Sequence, residues 1–111
     1  MKTVVVINNE GMGHGNPELG KKILRTFLTK AGLALKELEG VVFFNSGVRC
    51  LTKESGMLQP LANLDQEGVD LIACGTCVDA YGLREKLEVG TIGSMDQILA
   101  ELERAEKVIT L

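Results

Sequence analysis

Five short apolar runs, each four to six residues long, restrict what this chain can fold into more than any other feature: Thr3–Asn8, Val41–Phe44, Val69–Ala73, Val89–Ile92 and Val108–Leu111. They are rich in β-branched residues and too short for helices, so they read as strands buried on both faces. Helical patterns fill the gaps. Asn16-Pro17 reads as an N-cap with proline at the first helical position, and Glu18 favours the first turn. Leu19, Ile23, Phe27 and Ala31 then recur at four-residue spacing, widened by Leu24 and Leu28, to an end near Lys30–Gly32. A second helix falls between Ser55 and Glu67, with Leu58, Leu61 and Leu64 on one face and Gly68 as its stop. A short helical segment runs from about Val78 to Tyr81 and breaks at Gly82. Ser94-Met95-Asp96-Gln97 fits a capping box; Ile98, Leu99 and Leu102 line one face of the helix it opens, and that helix's charged residues form a solvated face. The order β-α-β-α-β-α-β-α-β predicts an α/β fold. It is a three-layer sandwich in which a mostly parallel five-stranded sheet carries helices on both faces, in one domain over residues 1–111.

Composition narrows the partners. Aromatic residues make up 4% of the chain and Trp is absent, so aliphatic side chains must build the core. A formal net charge of -3 argues against nucleic acid, whose phosphates need a basic face. No run reaches the roughly 18 apolar residues of a membrane span, and the first apolar run has neither the length nor the cleavage site of a signal peptide. Three cysteines, an odd number, do not make a secreted disulfide framework. The expected location is cytoplasmic.

Chemistry concentrates at Cys74-Gly75-Thr76-Cys77, where the third apolar run ends. A cysteine at the carboxyl end of a parallel strand lies on the edge where open α/β sheets place their sites, and a helix start beyond it favours thiolate. The spacing admits a redox dithiol, half of a zinc site, or a nucleophilic Cys74 that carries sulfur as a persulfide. It also admits two packed structural thiols. Zinc would need two more ligands, and only Cys50 and His14 are on offer, neither at a ligand-like spacing.

The Gly-rich segment Asn8 to Gly15 reads as a flexible rim beside Cys74. Gly15 to Lys22 only superficially matches a phosphate-binding loop, because Lys22 replaces the Mg²⁺-binding hydroxyl and Pro17 already starts a helix. His14, the one histidine, is placed either to assist Cys74 or to sit solvated on the rim. Asn45-Ser46-Gly47-Val48-Arg49-Cys50 forms a loop at the same edge, whose donors and Arg49 suit an anionic sulfur group. Cys50 is expected to pack.

Cys74-Gly-Thr-Cys77-Val-Asp-Ala80-Tyr-Gly82 after an apolar strand resembles the DsrE/DsrF-like family of small sulfur-relay proteins. The DsrE-like domain of YedF-type proteins is more similar still, through Glu18-Leu19-Gly20, Phe43-Phe44-Asn45-Ser46-Gly47-Val48 and the ending Ala105-Glu106-Lys107-Val108-Ile109. The resemblance spans essentially the whole chain. It implies a five-stranded α/β sandwich that forms homo-oligomers, and sulfur carried as a persulfide on Cys74. It also implies a TusA-like or rhodanese-like protein as sulfur donor or acceptor, supplied by another chain because no such domain precedes Thr3. His14 stands where many relatives carry Arg. The expected activity is that of a sulfurtransferase or sulfur carrier, with Cys74 and Cys77 catalytic and Asn8, His14, Asn45, Ser46, Gly47, Gly75 and Thr76 binding. No metal, organic cofactor, nucleic acid or membrane is implicated. The rival is a non-catalytic oligomeric or redox-regulatory subunit.

Overall fold

A computed structural model describes residues 2–111. The strands are β1 (Thr3–Ile7), β2 (Leu38–Phe43), β3 (Asp70–Cys74), β4 (Thr91–Gly93) and β5 (Lys107–Thr110). The helices are α1 (Pro17–Ala34), α2 (Leu58–Gln66), α3 (Gly75–Ala80) and α4 (Met95–Arg104), with 3₁₀ helices at Asn45–Leu51 and Lys53–Ser55. All strand pairs are parallel, in the order β4-β3-β2-β1-β5.

That order decides the layers. From β1 to β4 each crossover steps in the same direction, so right-handed connections place α1, α2 and α3 on one face. The return from β4 to β5 runs the other way and places α4 opposite. The core follows this division. Val5, Ile7, Val41, Phe43, Leu71 and Ala73 pack beneath Leu24, Leu28, Leu61, Leu64 and Val78. Val4, Val6, Val42 and Cys74 pack with Ile98 of α4.

Several local expectations shift. The buried face of α1 is Gly20, Leu24, Leu28 and Ala31, whereas Leu19 and Ile23 are 54% and 42% exposed. Gly20 sets this rotation. The Met12 N–H donates to its carbonyl at 3.0 Å, and a Cβ on Gly20 would sit 3.0 Å from the Met12 oxygen. Gly32 does not stop α1. It stays helical because α2 lies close: a Cβ there would meet Glu67 Oε1 at 2.7 Å and Leu64 Cδ2 at 3.3 Å. Leu99 of α4 is 55% exposed rather than core-facing. The segment Asn45–Leu51 is a 3₁₀ helix, not a loop, and α3 begins at Gly75 rather than near Val78.

Glu101 overturns the expectation that the charged residues of α4 are all solvated. It is 6% exposed. Gly40 makes room for it on the sheet, since a Cβ at Gly40 would lie 2.7 Å from Glu101 Oε1. Arg104 donates a hydrogen bond to the carboxylate. Burial pushes the Glu101 carboxyl above its ordinary range, Arg104 opposes this, and Asp70 and Glu39 push the same way as burial. A carboxyl raised on folding contributes stability below its unfolded pKa and loses it as pH rises through the folded value. Chemical denaturation from acid to neutral pH should therefore show Glu101→Gln gaining stability relative to the parent as pH rises.

Gly47 seats the first 3₁₀ helix on the end of β1. A Cβ there would lie 2.4 Å from the Ile7 carbonyl oxygen and 3.3 Å from the Asn9 nitrogen, both fixed backbone. Gly47→Ala should lower unfolding free energy by about 3 kcal/mol, the upper range for overpacking, as read from urea midpoints.

A thiol pair at the carboxyl edge of the sheet

Cys74 is the last residue of β3 and the N-cap of α3, with extended backbone at φ -60 and ψ 120. Three residues on, Cys77 occupies the first turn, and this offset turns the two side chains toward each other. The two thiols are close enough to act on one another, and Cys74 raises the pKa of Cys77. Strand alternation directs Cys74 to the α4 face, where it packs among Val4, Val6, Val42 and Ile98 and is 4% exposed. Cys77 is half-buried and touches both core clusters. Cys77 is therefore the sulfur of the pair that meets solvent.

The backbone N–H of Asn45 donates to Cys77 Sγ at 3.1 Å. Burial pushes the Cys77 thiol up, the Asn45 donor draws it down, and its contact with Cys74 raises it further. Asn45 reaches this position only by adopting φ +50, the one positive φ outside glycine among the described residues. Left-handed backbone costs about 1 kcal/mol, least for Asn, and one hydrogen bond of about 1 kcal/mol offsets it. Tyr81 supplies that bond: its hydroxyl donates to Asn45 Oδ1 at 2.8 Å. Tyr81 lies four residues beyond Cys77, one helical turn away. The Arg49 guanidinium stacks 4.6 Å from the Tyr81 ring centroid and also approaches Glu10 Oε2 at 3.4 Å. Lys21 meets the same carboxylate at 3.6 Å.

Arg84 lies along α3, paired with Asp79. Arg84 donates to both carboxylate oxygens of Asp79, at 2.8 and 3.0 Å. Its hydrogen bonds hold the Asp79 carboxyl below its usual range. The guanidinium reaches back to the amino end of α3: its Nη2 would be 3.9 Å from a Cβ on Gly75.

The expected binding residues divide. Asn45 reaches sulfur. Ser46 instead donates to Asn9 Oδ1 at 3.2 Å, and the Gly47 N–H donates to Phe44 O at 2.8 Å. Gly75 and Thr76 form the first turn of α3 between the two cysteines, with Thr76 exposed. Asn8 is exposed at the end of β1. His14 is also exposed, in a groove shared with Asn9, Gly13, Asn16 and Pro17 that no cysteine lines. Of the two placements open to His14, it takes the solvated one, because contact with Gly20 folds the loop over the start of α1. Arg49 stacks on Tyr81 rather than facing the thiols. Cys50 packs as expected, with burial pushing its thiol up to about 12. Sequence reasoning missed Tyr81, Glu10, Lys21 and Arg84. Only Tyr81 left a signal, its one-turn spacing from Cys77. Among the described residues no group of three or more His, Cys, Asp and Glu side chains converges as a metal site, and no helix is long and apolar enough to cross a membrane.

The model of the DsrE/DsrF-like family matches residues 1–111. Two solved structures share the fold at a TM-score of 0.74. The ychN protein from E. coli is 22% identical, with 99% of this chain and 98% of that one covered. A protein of unknown function from Methanobacterium thermoautotrophicum is 20% identical, with the same coverage. A conserved protein of unknown function from Bacteroides thetaiotaomicron follows at a TM-score of 0.69 and 16% identity, covering 99% of this chain and 94% of that one. No curated protein matches the chain.

Access sets Cys77 ahead of Cys74, and burial with a raised pKa sets Cys50 last. With iodoacetamide at pH 8, peptide mapping should show Cys77 alkylated first, Cys74 more slowly and Cys50 not at all in the folded protein. At a pKa of about 12, only about one Cys50 in ten thousand is thiolate at that pH.

Proposed function

From the DsrE/DsrF-like family, to which the chain belongs over residues 1–111, we propose that this protein is a sulfur carrier that holds sulfane sulfur as a persulfide on Cys74. The observation that carries the reading is the placement of Cys74 and Cys77 together at the end of β3 and the first turn of α3, with the Asn45 N–H on the outer sulfur. A thiolate or persulfide on Cys77 has a backbone donor, the Asn45 N–H, beside it.

Exposure orders the steps. A donor persulfide, R–S–SH, meets Cys77 first. The Cys77 thiolate takes the outer sulfur, forming Cys77–S–SH and releasing the donor as RS⁻. The Cys74 thiolate then attacks that outer sulfur, giving Cys74–S–SH and returning Cys77 to thiolate. Each step breaks one S–S bond and forms another, so the sulfane sulfur moves without net oxidation. Storage on the 4% exposed Cys74 keeps the persulfide away from water and stray thiols. Discharge reverses the order to an acceptor thiolate. Attack by one cysteine on the inner sulfur of the other's persulfide instead yields a Cys74–Cys77 disulfide and HS⁻.

Donor and acceptor proteins of the TusA-like or rhodanese-like kind fit the open sheet edge. The half-exposed pairs Leu19/Ile23 and Met95/Leu99 give copies of the chain apolar ridges on which to associate. Burial of Cys74 favours one second reading, a redox-regulatory subunit whose pair only switches between dithiol and disulfide.

Incubating the reduced protein with a sulfane-sulfur donor and mapping peptides by mass spectrometry separates these. A one-sulfur adduct on Cys74, absent in Cys74→Ser and formed more slowly in Cys77→Ser, is the expected result. A Cys74–Cys77 disulfide with no persulfide under any loading condition would refute the carrier and leave the switch.

A further inference from the structure

Behind Tyr81 lies a cavity of about 350 Å³, inside the size range of sites that enclose small ligands. Three connections at the carboxyl edge build it, those after β1, β2 and β3. Met57, Leu83 and the inert Cys50 line its apolar part; Glu10, Lys21 and Arg49 form its charged part; Glu54 stands exposed beside them. Tyr81 is the shared wall, with its ring lining the cavity and its hydroxyl holding Asn45 against Cys77.

The charges in this cavity are incompletely matched. Lys21 and Arg49 share the single carboxylate of Glu10, at 3.6 and 3.4 Å, longer than strong charge-assisted contacts. Arg49 has five donors and spends one on Glu10. An entering carboxylate thus finds a guanidinium fork pre-positioned by stacking on Tyr81 and a neighbouring ammonium. The exposed Glu54 offers the opposite sign to an ammonium group. Both signs around an apolar floor fit a zwitterion better than a simple anion.

Taking the sulfur-carrier reading as its basis, we infer that this cavity binds a small zwitterionic thiol, a cysteine-like aminothiol acid, as the acceptor of sulfur. Arg49 and Lys21 hold its carboxylate, Glu54 meets its ammonium, and its thiol reaches past Tyr81 toward Cys77. The bound thiolate attacks the outer sulfur of the Cys77 persulfide. One S–S bond breaks, one forms, the acceptor leaves as R–S–SH and Cys77 is left as thiolate.

Tyr81 is the only tyrosine and Trp is absent, so intrinsic fluorescence reports this cavity alone. Titration with S-methyl-L-cysteine, which cannot accept sulfur, reads binding without chemistry. Saturation with a dissociation constant of about 1 mM or tighter is expected in the reduced protein. Arg49→Met should weaken it about tenfold, the loss of one charge-assisted contact. Lys21→Gln, which leaves the Arg49 stack on Tyr81 in place, should weaken it too. In the persulfide-loaded protein, L-cysteine should discharge sulfur with saturation at a matching concentration. A signal that never saturates, or one indifferent to both variants, would overturn the site. Saturable binding in a protein that never loads sulfur would remove the acceptor role, so failure of the carrier reading is told apart from failure of the cavity.

Discussion

The 3₁₀ helix after β2 rests directly on the end of β1, and the site depends on that contact. Gly47 permits it by having no Cβ to strike the Ile7 carbonyl, and the Phe44 N–H fastens it by donating to the same oxygen at 2.9 Å. Seated there, the helix presents the Asn45 N–H to Cys77 at one end and carries Arg49 to Tyr81 at the other. Two strands that share no chemistry are thereby tied together. The connection after β2 positions a donor on a sulfur that belongs to the connection after β3. Small misplacement here would loosen both the sulfur contact and the cavity wall, since Tyr81 serves the two together.

The location within the sheet is also specific. Open α/β sheets gather ligands where strand order reverses, which here is at β1, between β2 and β5. The thiol pair lies two strands away, at the end of β3. What it uses is the carboxyl edge itself and the first turn of α3, together with side chains borrowed from the neighbouring connections. Burial then divides labour between the cysteines. Strand alternation sends Cys74 under α4, while the helical turn leaves Cys77 at the boundary of both cores.

Much of this was legible in the chain. The alternation of apolar runs and helical patterns gave the order of every strand and α-helix, and the position of Cys74 at a strand end followed from Val69–Ala73 running into Cys-Gly-Thr-Cys. The capping chemistry of α1 and α4 also read directly: Asn16 accepts from the Leu19 N–H, and Ser94 and Gln97 close a capping box. Other features were not visible because they depend on what lies across space. Four-residue spacing located α1 but missed its rotation by one position, which the loop over Gly20 imposes. Glu101 looks like any surface acid until Gly40, sixty-one residues earlier in a separate strand, is seen to open room for it. The ring of Tyr81, Arg49, Glu10 and Lys21 draws on three connections, and no local pattern joins them.

The pairing of β5 with β1 bears on how the chain completes itself. Residue 3 meets residue 107, and the Lys2 carbonyl accepts from the Glu106 and Lys107 N–H groups. The groups that meet at Cys77 and Tyr81 all precede residue 85, whereas the cover over Cys74 comes from Ile98 of α4. During synthesis, until α4 and β5 arrive, β1 keeps an open hydrogen-bonding edge and Val4 and Val6 lack their cover. The segment that brings α4 and β5 thus moves an open edge from the buried, apolar β1 to the mostly exposed β5, with Lys107 at its start, and lays Ile98 over Cys74.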